Sequence, residues 1–350
     1  MEKNIKNKRD KIIAIAACSI ITVIVLIIGV VTATRDSVQS QPVAPYHNKR
    51  IYLAKTTILT DREYPQTYDR SSRTYDKPLK NYGSFDSSKQ QPLPANCKQH
   101  RFSAGILVDL TNRKILWAHN EKRSLPIASI SKLMTIYTAF EEMKNRPEIN
   151  LSTPVTVSRE CTLQAPVRAP LNPGDKISLN DIFKYSMLKS ANDAAYLLAE
   201  YFGYGNAQIF IKLMNSKAQA LGMTSSNFVN ANGLPIYGED SQYNVKMNKS
   251  SCMDLILLME RIIENREIMQ YTKTEKTKIR GQEVVNGNKL LKQVKGMTGM
   301  KTGYTNAAGH CLAFSCERNG RILIGVVLGC KSGNDRSELV RKLLEWGFKN

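Results

Sequence analysis

A serine and a lysine three residues apart, Ser129 and Lys132, are the residues of this 350-residue chain best suited to covalent chemistry. An apolar-periodic run with no Gly or Pro before Pro147 follows them, which predicts an amphipathic helix opening near Ala128. Both side chains then share one helix face, with Cβ atoms about 5–6 Å apart. A lysine whose pKa is lowered by burial or nearby cations can take a serine proton. The pattern therefore indicates an acyl-transfer site, with first-turn N–H groups beside any oxyanion at Ser129.

The same spacing occurs a second time, at Ser186 and Lys189. A solvated surface pair is the commoner explanation of an isolated match of this kind. The choice between the two pairs therefore depends on what accompanies each of them.

Two further segments carry side chains that could complete such a site. Ser190 and Asn192 fall between predicted helices, where they could move a proton and hold a substrate amide, although both residue types also cap helices. Lys301, Thr302 and Gly303 end an apolar strand, where they could bind a substrate carboxylate and admit the substrate close to the backbone. An edge strand there would also pair with an extended peptide. The alternative for this segment is an ordinary turn.

Hydrophobic periodicity indicates the elements that must position these residues. Strand-like segments lie towards both ends of the folded region, and helix-like segments lie between them. This order predicts an α/β (α+β) domain, in which a central antiparallel sheet is flanked by helices and carries an inserted all-helical lobe. The predicted strands are 103–109, 114–118, 295–302, 310–317 and 321–328, and the predicted helices after the first are 179–188, 192–202, 206–221, 247–264 and 335–346.

The net charge of +20 raises the question of an anionic partner. Lys and Arg are spread along the chain, with no long basic run outside the N-terminus and no nucleic-acid-binding signature. We therefore expect a generally basic surface and no nucleic-acid partner. No cysteine or histidine cluster has metal-ligand spacing, so neither a metal nor another cofactor is predicted.

The N-terminal region has the pattern of a membrane anchor. Residues 12–33 carry no charged side chain and are long enough to cross a hydrocarbon core of roughly 30 Å as a helix. Residues 1–11 are rich in positive charge, which predicts a cytoplasmic tail, a single-pass signal-anchor and an extracytoplasmic remainder. A cleaved signal peptide is the competing interpretation, but residues 31–33 fit a cleavage site poorly.

The remainder divides by composition into a linker and a folded domain. Residues 34–99 are rich in Ser, Gln, Pro, Asp and Lys and largely lack periodicity, which predicts a flexible extracytoplasmic linker. Residues 100–350 are expected to form the folded domain. Six cysteines lie outside the membrane segment, and they could form disulfides in any of 15 pairings or serve as small core residues.

The S-x-x-K, S-x-N and K-T-G segments follow one another in this order, separated by about 60 and then about 110 residues. Together they form a far more specific signature than any one of them alone. In these motifs the chain resembles the penicillin-recognising serine hydrolases, and within them the D-alanyl-D-alanine carboxypeptidases of the low-molecular-weight penicillin-binding proteins. The resemblance runs from about residue 102 to 348. It also includes segments 126–128, 171–175, 221–223, 232–235, 299–305 and 343–348.

The resemblance implies a β-lactamase/transpeptidase-like fold and a role for each motif residue. Ser129 would be the nucleophile and Lys132 the general base. Ser190 and Asn192 would support proton transfer and hold the substrate amide. No cofactor is implied.

The resemblance also implies a set of substrate-binding residues, namely Lys301, Thr302, Gly303, Tyr304 and Arg336. Lys301 and Thr302 would bind the terminal carboxylate, with Arg336 near the same pocket. The backbone N–H groups of Ser129 and Tyr304 would form the oxyanion hole.

The implied reaction begins with acylation of Ser129 by peptidoglycan stem peptides ending in D-Ala-D-Ala. D-alanine leaves and water then releases the acyl group. Beta-lactam antibiotics should acylate the same serine. Residues 100–350 would then be the catalytic domain, held outside the bacterial cytoplasmic membrane.

Other activities remain alternatives to carboxypeptidase activity. The nearest are a D,D-endopeptidase acting on peptidoglycan cross-links and a non-catalytic, membrane-anchored receptor for penicillin or peptidoglycan. A class A β-lactamase is disfavoured because its expected glutamate would follow the S-x-N motif, whereas the similar segment at Glu160 precedes Ser190. A Ser-His-Asp hydrolase is disfavoured because no G-x-S-x-G occurs.

The sequence departs from the family pattern at two places. Family members commonly continue beyond the Trp-Gly-Phe segment, residues 346–348, into a β-rich domain and a C-terminal anchor, whereas this sequence ends at Asn350. We therefore expect the anchor at the N-terminus instead. Asn232 stands where a histidine is expected before Gly-Leu-Pro.

Overall fold

The computed structural model describes residues 84–88, 90–238 and 245–350. The predicted tail and membrane anchor, residues 1–33, lie outside the described residues, as do residues 34–83 of the predicted linker. In the described ranges, no helix is both long enough and apolar enough to cross a membrane.

The described residues form 13 strands and nine α-helices. The strands are β1 (Ala104–Asp109), β2 (Lys114–His119), β3 (Leu125–Pro126), β4 (Pro154–Thr156), β5 (Lys176–Ser178), β6 (Ile236–Tyr237), β7 (Val245–Lys246), β8 (Lys249–Ser250), β9 (Lys276–Ile279), β10 (Gln282–Val285), β11 (Met297–Thr305), β12 (Gly309–Arg318) and β13 (Arg321–Cys330). The α-helices are α1 (Lys132–Lys144), α2 (Arg159–Thr162), α3 (Leu179–Lys184), α4 (Asn192–Phe202), α5 (Ala207–Ala220), α6 (Cys252–Glu264), α7 (Arg266–Lys273), α8 (Leu290–Gln293) and α9 (Gly333–Gly347).

Five of these strands form the central sheet, in the order β11-β12-β13-β1-β2. All its pairings are antiparallel, and β1 joins β13 with Ala104 opposite Leu328. The N-terminal hairpin and the C-terminal strands thus complete one sheet, as the sequence predicts. The β11 strand lies at one edge.

Alternation along the strands divides the core into two layers. Ile106 and Val108 of β1 belong to the apolar cluster shared with the helical lobe, whereas Leu107 belongs to a second cluster on the opposite face. Leu339 and Leu343 of α9 cover that second face. The predicted arrangement of helices on both sides of an antiparallel sheet is therefore confirmed.

The inserted lobe is built from helices that follow the Ser129 turn. Helix α1 packs against α4 and α5, and the rings of Phe140 and Phe183 lie 4.8 Å apart between α1 and α3. Tyr271 of α7 closes the same aromatic group, 5.7 Å from Phe183. This packing fixes the first turns of α1 and α4, which carry Lys132 and Asn192, relative to one another.

Some predicted boundaries are wrong for identifiable reasons. The helix predicted at 247–264 begins only at Cys252, because residues 249–250 pair with β3 as strand β8 and the Ser251 hydroxyl caps the helix by accepting from Asp254 N. The helix predicted at 179–188 is α-helical only to Lys184, and a π-helical turn, Tyr185–Lys189, follows it. The sequence analysis also missed α7 and the β9–β10 hairpin.

The cysteines of the described region are structural residues. All six are free, and all six are buried: Cys97, Cys161, Cys252, Cys311, Cys316 and Cys330. Of the two alternatives left open by the sequence, small core residues is therefore the one the structure supports.

The boundary between linker and catalytic domain at residue 100 stays a prediction. Within the predicted linker, the backbone N–H groups of Asp86 and Gln91 donate to the carbonyls of Arg113 and Leu116. Cys97 is buried in the cluster beneath α9.

Candidate active site

Ser129 lies in a 3₁₀ turn, Ala128–Ser131, that leads directly into α1. Two glycines allow neighbouring segments to press against this turn. A Cβ atom on Gly233, whose φ is +88°, would lie 2.3 Å from the Ala128 carbonyl oxygen. One on Gly303 would lie 2.9 Å from the Ile127 carbonyl oxygen and 3.2 Å from Ser129 N. Neither approach leaves room for a side chain. The nucleophile turn is therefore held between the loop at 230–234 and strand β11.

Lys132 is fully buried directly behind this serine. Its Nζ lies 2.9 Å from Ser129 Oγ, 2.8 Å from Asn192 Oδ1 and 2.5 Å from the Asn232 carbonyl oxygen. A charged ammonium could donate to all three oxygens. The neutral amine has two N–H groups, so donation to Asn192 and Asn232 turns its lone pair toward Ser129 Oγ.

The electrostatic surroundings of Lys132 favour its neutral form. Burial holds the pKa of Lys132 well below its ordinary value, and the positive charge of Lys301 lowers it further, while Asp193 opposes the shift. A lysine that is neutral near physiological pH can accept the serine proton. The geometry and the charge environment thus agree on the role of a base.

The S-x-N segment reaches the site through its asparagine. Asn192 begins α4 and is buried, and its side-chain oxygen accepts from Lys132. Ser190 ends the π-helical turn in the left-handed conformation, with φ +62°. Its hydroxyl makes no hydrogen bond to any other described residue. The structure therefore brings Asn192, but not Ser190, into direct contact with the base.

The K-T-G segment lies on edge strand β11, beside the nucleophile turn. Lys301 is buried, its Nζ donates to the Thr302 carbonyl at 3.1 Å, and it has no ion pair with any described residue. Burial and the nearby Arg336 cation lower the pKa of Lys301 to about 7. Thr302 Oγ1 lies next to Gly287, where a Cβ atom would come within 3.3 Å of it.

Arg336 supplies a second cation to the same region from the first turns of α9. Its Nη1 donates to the Cys311 carbonyl at 3.4 Å, and its buried Nε has no partner among the described residues. Burial lowers the pKa of Arg336 as well. One buried and one half-buried cation, Lys301 and Arg336, have no carboxylate partner in the described region, and together they suit an anion. Tyr304 lies at the margin of this anion pocket, exposed and stacked on His310 with ring centroids 4.3 Å apart.

The structure separates the second serine–lysine pair. Ser186 is buried within the π-helical turn, whereas Lys189 is exposed at its end. The two side chains therefore do not form a buried base and nucleophile. Glu160, considered above for a β-lactamase, is exposed on α2, and Gln164 is the residue of that segment that contacts the site loop, accepting from Asn232 Nδ2.

Sequence reasoning missed the Asn232 carbonyl as a functional group. Asn232 was singled out for its side chain, but the atom that meets Lys132 belongs to the backbone. The signal that could have found it is Gly233, since a glycine that cannot be replaced marks a backbone packed closely against a neighbour.

The sequence is similar to those of known peptidases. A family model described as D-alanyl-D-alanine carboxypeptidase, peptidase S11, matches residues 88–332. The D-alanyl-D-alanine carboxypeptidase DacF of Bacillus subtilis (strain 168) is 29% identical over 254 residues, which cover 71% of this chain and 62% of the relative. A D-alanyl-D-alanine endopeptidase of Haemophilus influenzae is 31% identical over 248 residues, covering 69% of this chain and 80% of the relative.

The fold is similar to that of solved penicillin-binding proteins. Penicillin-binding protein D2 of Listeria monocytogenes, in its cefotaxime-bound form, matches with a TM-score of 0.62 and 30% identity, over 71% of this chain and 97% of that one. The chain spans about three fifths of the length of the curated carboxypeptidases that it matches, for example 62% of DacF.

Proposed function

The chain belongs to the peptidase S11 family of D-alanyl-D-alanine carboxypeptidases, and on this premise we propose that it removes the terminal D-alanine from peptidoglycan stem pentapeptides. The observation that carries the proposal is the buried contact of 2.9 Å between Lys132 Nζ and Ser129 Oγ. The anion pocket of Lys301 and Arg336 beside it supports a substrate that ends in a carboxylate.

Substrate binding would begin at this pocket. Lys301 and Arg336 attract the terminal carboxylate, and the Thr302 hydroxyl can donate to it. Gly303 lets the peptide approach the backbone of β11. This strand ends the order of the central sheet, so its outer edge can pair with an extended chain. Binding there places the penultimate carbonyl near Ser129.

Acylation would then proceed with the Lys132 amine as base. The amine takes the Ser129 proton while Oγ attacks the carbonyl carbon of the penultimate D-alanine. The backbone N–H groups of Ser129 and Tyr304 stabilise the oxyanion. When the peptide bond breaks, the proton passes from Lys132 to the departing amine of the terminal D-alanine. The Ser190 hydroxyl would relay it once substrate binding brings that hydroxyl next to Lys132, and Asn192 holds the remaining stem.

Deacylation would use the same residues with water as the nucleophile. Lys132 accepts a proton from water, which attacks the ester carbonyl, and the proton returns to Ser129 Oγ as the shortened stem leaves. Beta-lactams carry a carboxylate and a reactive amide, so they would acylate Ser129 in the same way.

We also propose an extracytoplasmic location for the catalytic domain. The support is the uncharged stretch at 12–33 behind a basic tail, which has the length and flanks of a single-pass anchor of the cytoplasmic membrane. The linker at 34–99 would separate the domain from the bilayer.

A D,D-endopeptidase is the second candidate function. The similarity to the Haemophilus influenzae endopeptidase favours it. The bond cleaved is chemically related, so the two activities differ in which peptides enter the cleft. A receptor that binds without turnover is the remaining alternative.

Release of D-alanine from a peptide ending in D-Ala-D-Ala tests the proposal. The full-length chain should release it, and a Ser129→Ala variant should not. Release by both would move the nucleophile elsewhere. No release, together with stable penicillin labelling at Ser129, would contradict the carboxypeptidase. Cleavage of cross-linked muropeptides would then distinguish an endopeptidase from a receptor.

A further inference from the structure

A short segment between α2 and β5, residues 164–169, contacts both asparagines whose oxygens accept hydrogen bonds from Lys132, through atoms other than those oxygens. Asn232 Nδ2 donates to Gln164 Oε1 at 3.1 Å, and the Asn192 backbone N–H donates to the Val167 carbonyl at 2.7 Å. This bracing segment therefore touches the loop that carries one acceptor and the helix that carries the other.

Gln164 is itself fixed in one orientation. Its Nε2 donates to the Glu160 carbonyl at 3.3 Å, so its Oε1 is the atom turned to Asn232. On the other side, Asn232 Oδ1 accepts from Leu234 N at 3.0 Å. The Asn232 side chain is thus used at both ends, and it is only 3% exposed, so losing one bond would leave a buried amide unsatisfied.

The position of the Asn232 carbonyl decides where the Lys132 amine points. This oxygen lies 2.5 Å from Lys132 Nζ and 3.4 Å from Ser129 Oγ. If it withdrew, one N–H of the neutral amine would lose its acceptor and could turn to Ser129. The lone pair would then no longer face the serine hydroxyl.

We propose that Gln164 is a positioning residue for the acylation of Ser129. Acting through the side chain of Asn232, it holds the carbonyl that directs the lone pair of Lys132 to the serine. The inference rests on the proposed acyl-transfer function. Gln164 makes no hydrogen bond to Ser129 or Lys132 within the described residues, and no chemical step is assigned to it.

Two substitutions at this position distinguish the effect of the hydrogen-bond acceptor from the effect of side-chain size. Gln164→Met removes the acceptor at nearly constant length, whereas Gln164→Glu keeps an oxygen that Asn232 can reach. Thr162→Val is the matched control, because it removes a hydrogen bond of 2.8 Å to the Arg159 carbonyl that lies within α2 and involves neither Asn232 nor Asn192. The readout is the acylation rate constant of the full-length chain with a fluorescent penicillin, measured from pH 5 to 9.

We expect Gln164→Met to acylate about tenfold more slowly on the plateau, less than the roughly hundredfold that a full 1 Å misplacement can cost, because Lys132 keeps its other contacts. Its acidic limb should also move to lower pH, because the ammonium form of Lys132 loses more than the neutral amine does when a carbonyl acceptor withdraws. Gln164→Glu should stay within about twofold of the parent on the plateau, because an acceptor for Asn232 is retained. Its acidic limb should move to higher pH, the opposite direction to Gln164→Met, because the added carboxylate favours the ammonium form of Lys132. Thr162→Val should match the parent.

An unchanged plateau and acidic limb in Gln164→Met would overturn the inference. Equal slowing in Gln164→Met and Thr162→Val, with parallel losses in Tm, would also overturn it, since that is general destabilisation. A parent that is acylated but releases no D-alanine would refute the proposed carboxypeptidase alone, because acylation by itself reports on Gln164. A parent that is not acylated at all would refute both.

Discussion

At the scale of single residues, the chemistry depends on where each polar atom is buried. Ser129 and Lys132 are ordinary side chains whose reactivity comes from their surroundings. The lysine has lost its water, faces another cation at Lys301 and meets oxygens on three sides. A surface pair with the same spacing, exposed to water, would keep a charged lysine and an unactivated serine.

Exchange of the serine tests which pair is functional. We expect Ser129→Ala to abolish covalent penicillin labelling while changing the free energy of unfolding by no more than about 1 kcal/mol, because its Oγ makes few hydrogen bonds. Ser186→Ala should keep full labelling. Mass spectrometry of the labelled protein and thermal unfolding check both expectations. Persistent labelling of Ser129→Ala would assign the nucleophile to another serine.

The pH dependence of substrate capture follows from the two lysines. Lys132 must be neutral to act, so kcat/KM should fall at acidic pH. Lys301 must be charged to attract a carboxylate, and its pKa of about 7 predicts a fall in kcat/KM as pH rises through neutrality. A substrate whose terminal carboxylate is amidated should be poor at every pH and should lack the alkaline limb. An alkaline limb of equal midpoint for both substrates would contradict this role of Lys301.

At the scale of elements, glycines set how closely the loop at 230–234 and strand β11 approach the nucleophile turn. Gly233 and Gly174 have nearly the same positive φ, +88° and +86°. A Cβ atom on Gly233 would meet the Ala128 carbonyl, whereas one on Gly174 would meet nothing within 4 Å. The two positions therefore differ in packing and not in backbone strain.

This pair of glycines gives a controlled substitution experiment. Gly174→Ala should cost about 1–2 kcal/mol of unfolding free energy, the strain of a left-handed residue, and leave acylation intact. Gly233→Ala should cost more and also slow acylation, because the Asn232 carbonyl must move with its neighbour. Denaturant unfolding and penicillin labelling measure the two effects. Equal losses of unfolding free energy and of acylation rate in both variants would show that the close approach of Gly233 to Ala128 contributes to neither.

The accuracy of prediction varied with the element. Helix α4 was predicted with its observed bounds, because it combines a clear apolar period with a polar residue at its start. The β9–β10 hairpin was missed, because it is short and mixes charged with apolar residues around a turn, Arg280–Gly281. In the site, motif spacing located the side chains of the nucleophile and base. It could not locate the Asn232 carbonyl, since every residue has one and only the fold selects which is used.

At the scale of the whole molecule, the buried Lys301 of the site lowers the free energy of unfolding. Burial and Arg336 lower the pKa of Lys301 from 10.5 to about 7. Between these pH values the folded protein binds fewer protons than the unfolded chain, so the free energy of unfolding rises with pH across this window. Below pH 7 the penalty of a charged, buried lysine is fully present.

Replacement of this lysine should therefore stabilise the fold while lowering the release of D-alanine. We expect Lys301→Met to raise the free energy of unfolding at pH 6 by on the order of a few kcal/mol, since one pKa unit corresponds to about 1.4 kcal/mol. The gain should shrink as pH approaches 10.5. Denaturant titrations at several pH values, beside D-alanine release, check this. A destabilised variant at acidic pH would show that the lysine stem packs better than a methionine.

The Lys301 and Arg336 cations have no carboxylate partner among the described residues, so the stability of the fold should report whether an anion is bound between them. A small carboxylate that fills the pocket would neutralise charge that the empty protein must bear, and a ligand bound only by the folded state shifts the melting temperature by mass action. D-lactate should then raise Tm where lactamide does not, although neither can acylate a serine. Thermal shift alone would thus suffice to screen for compounds that occupy the pocket without a β-lactam ring.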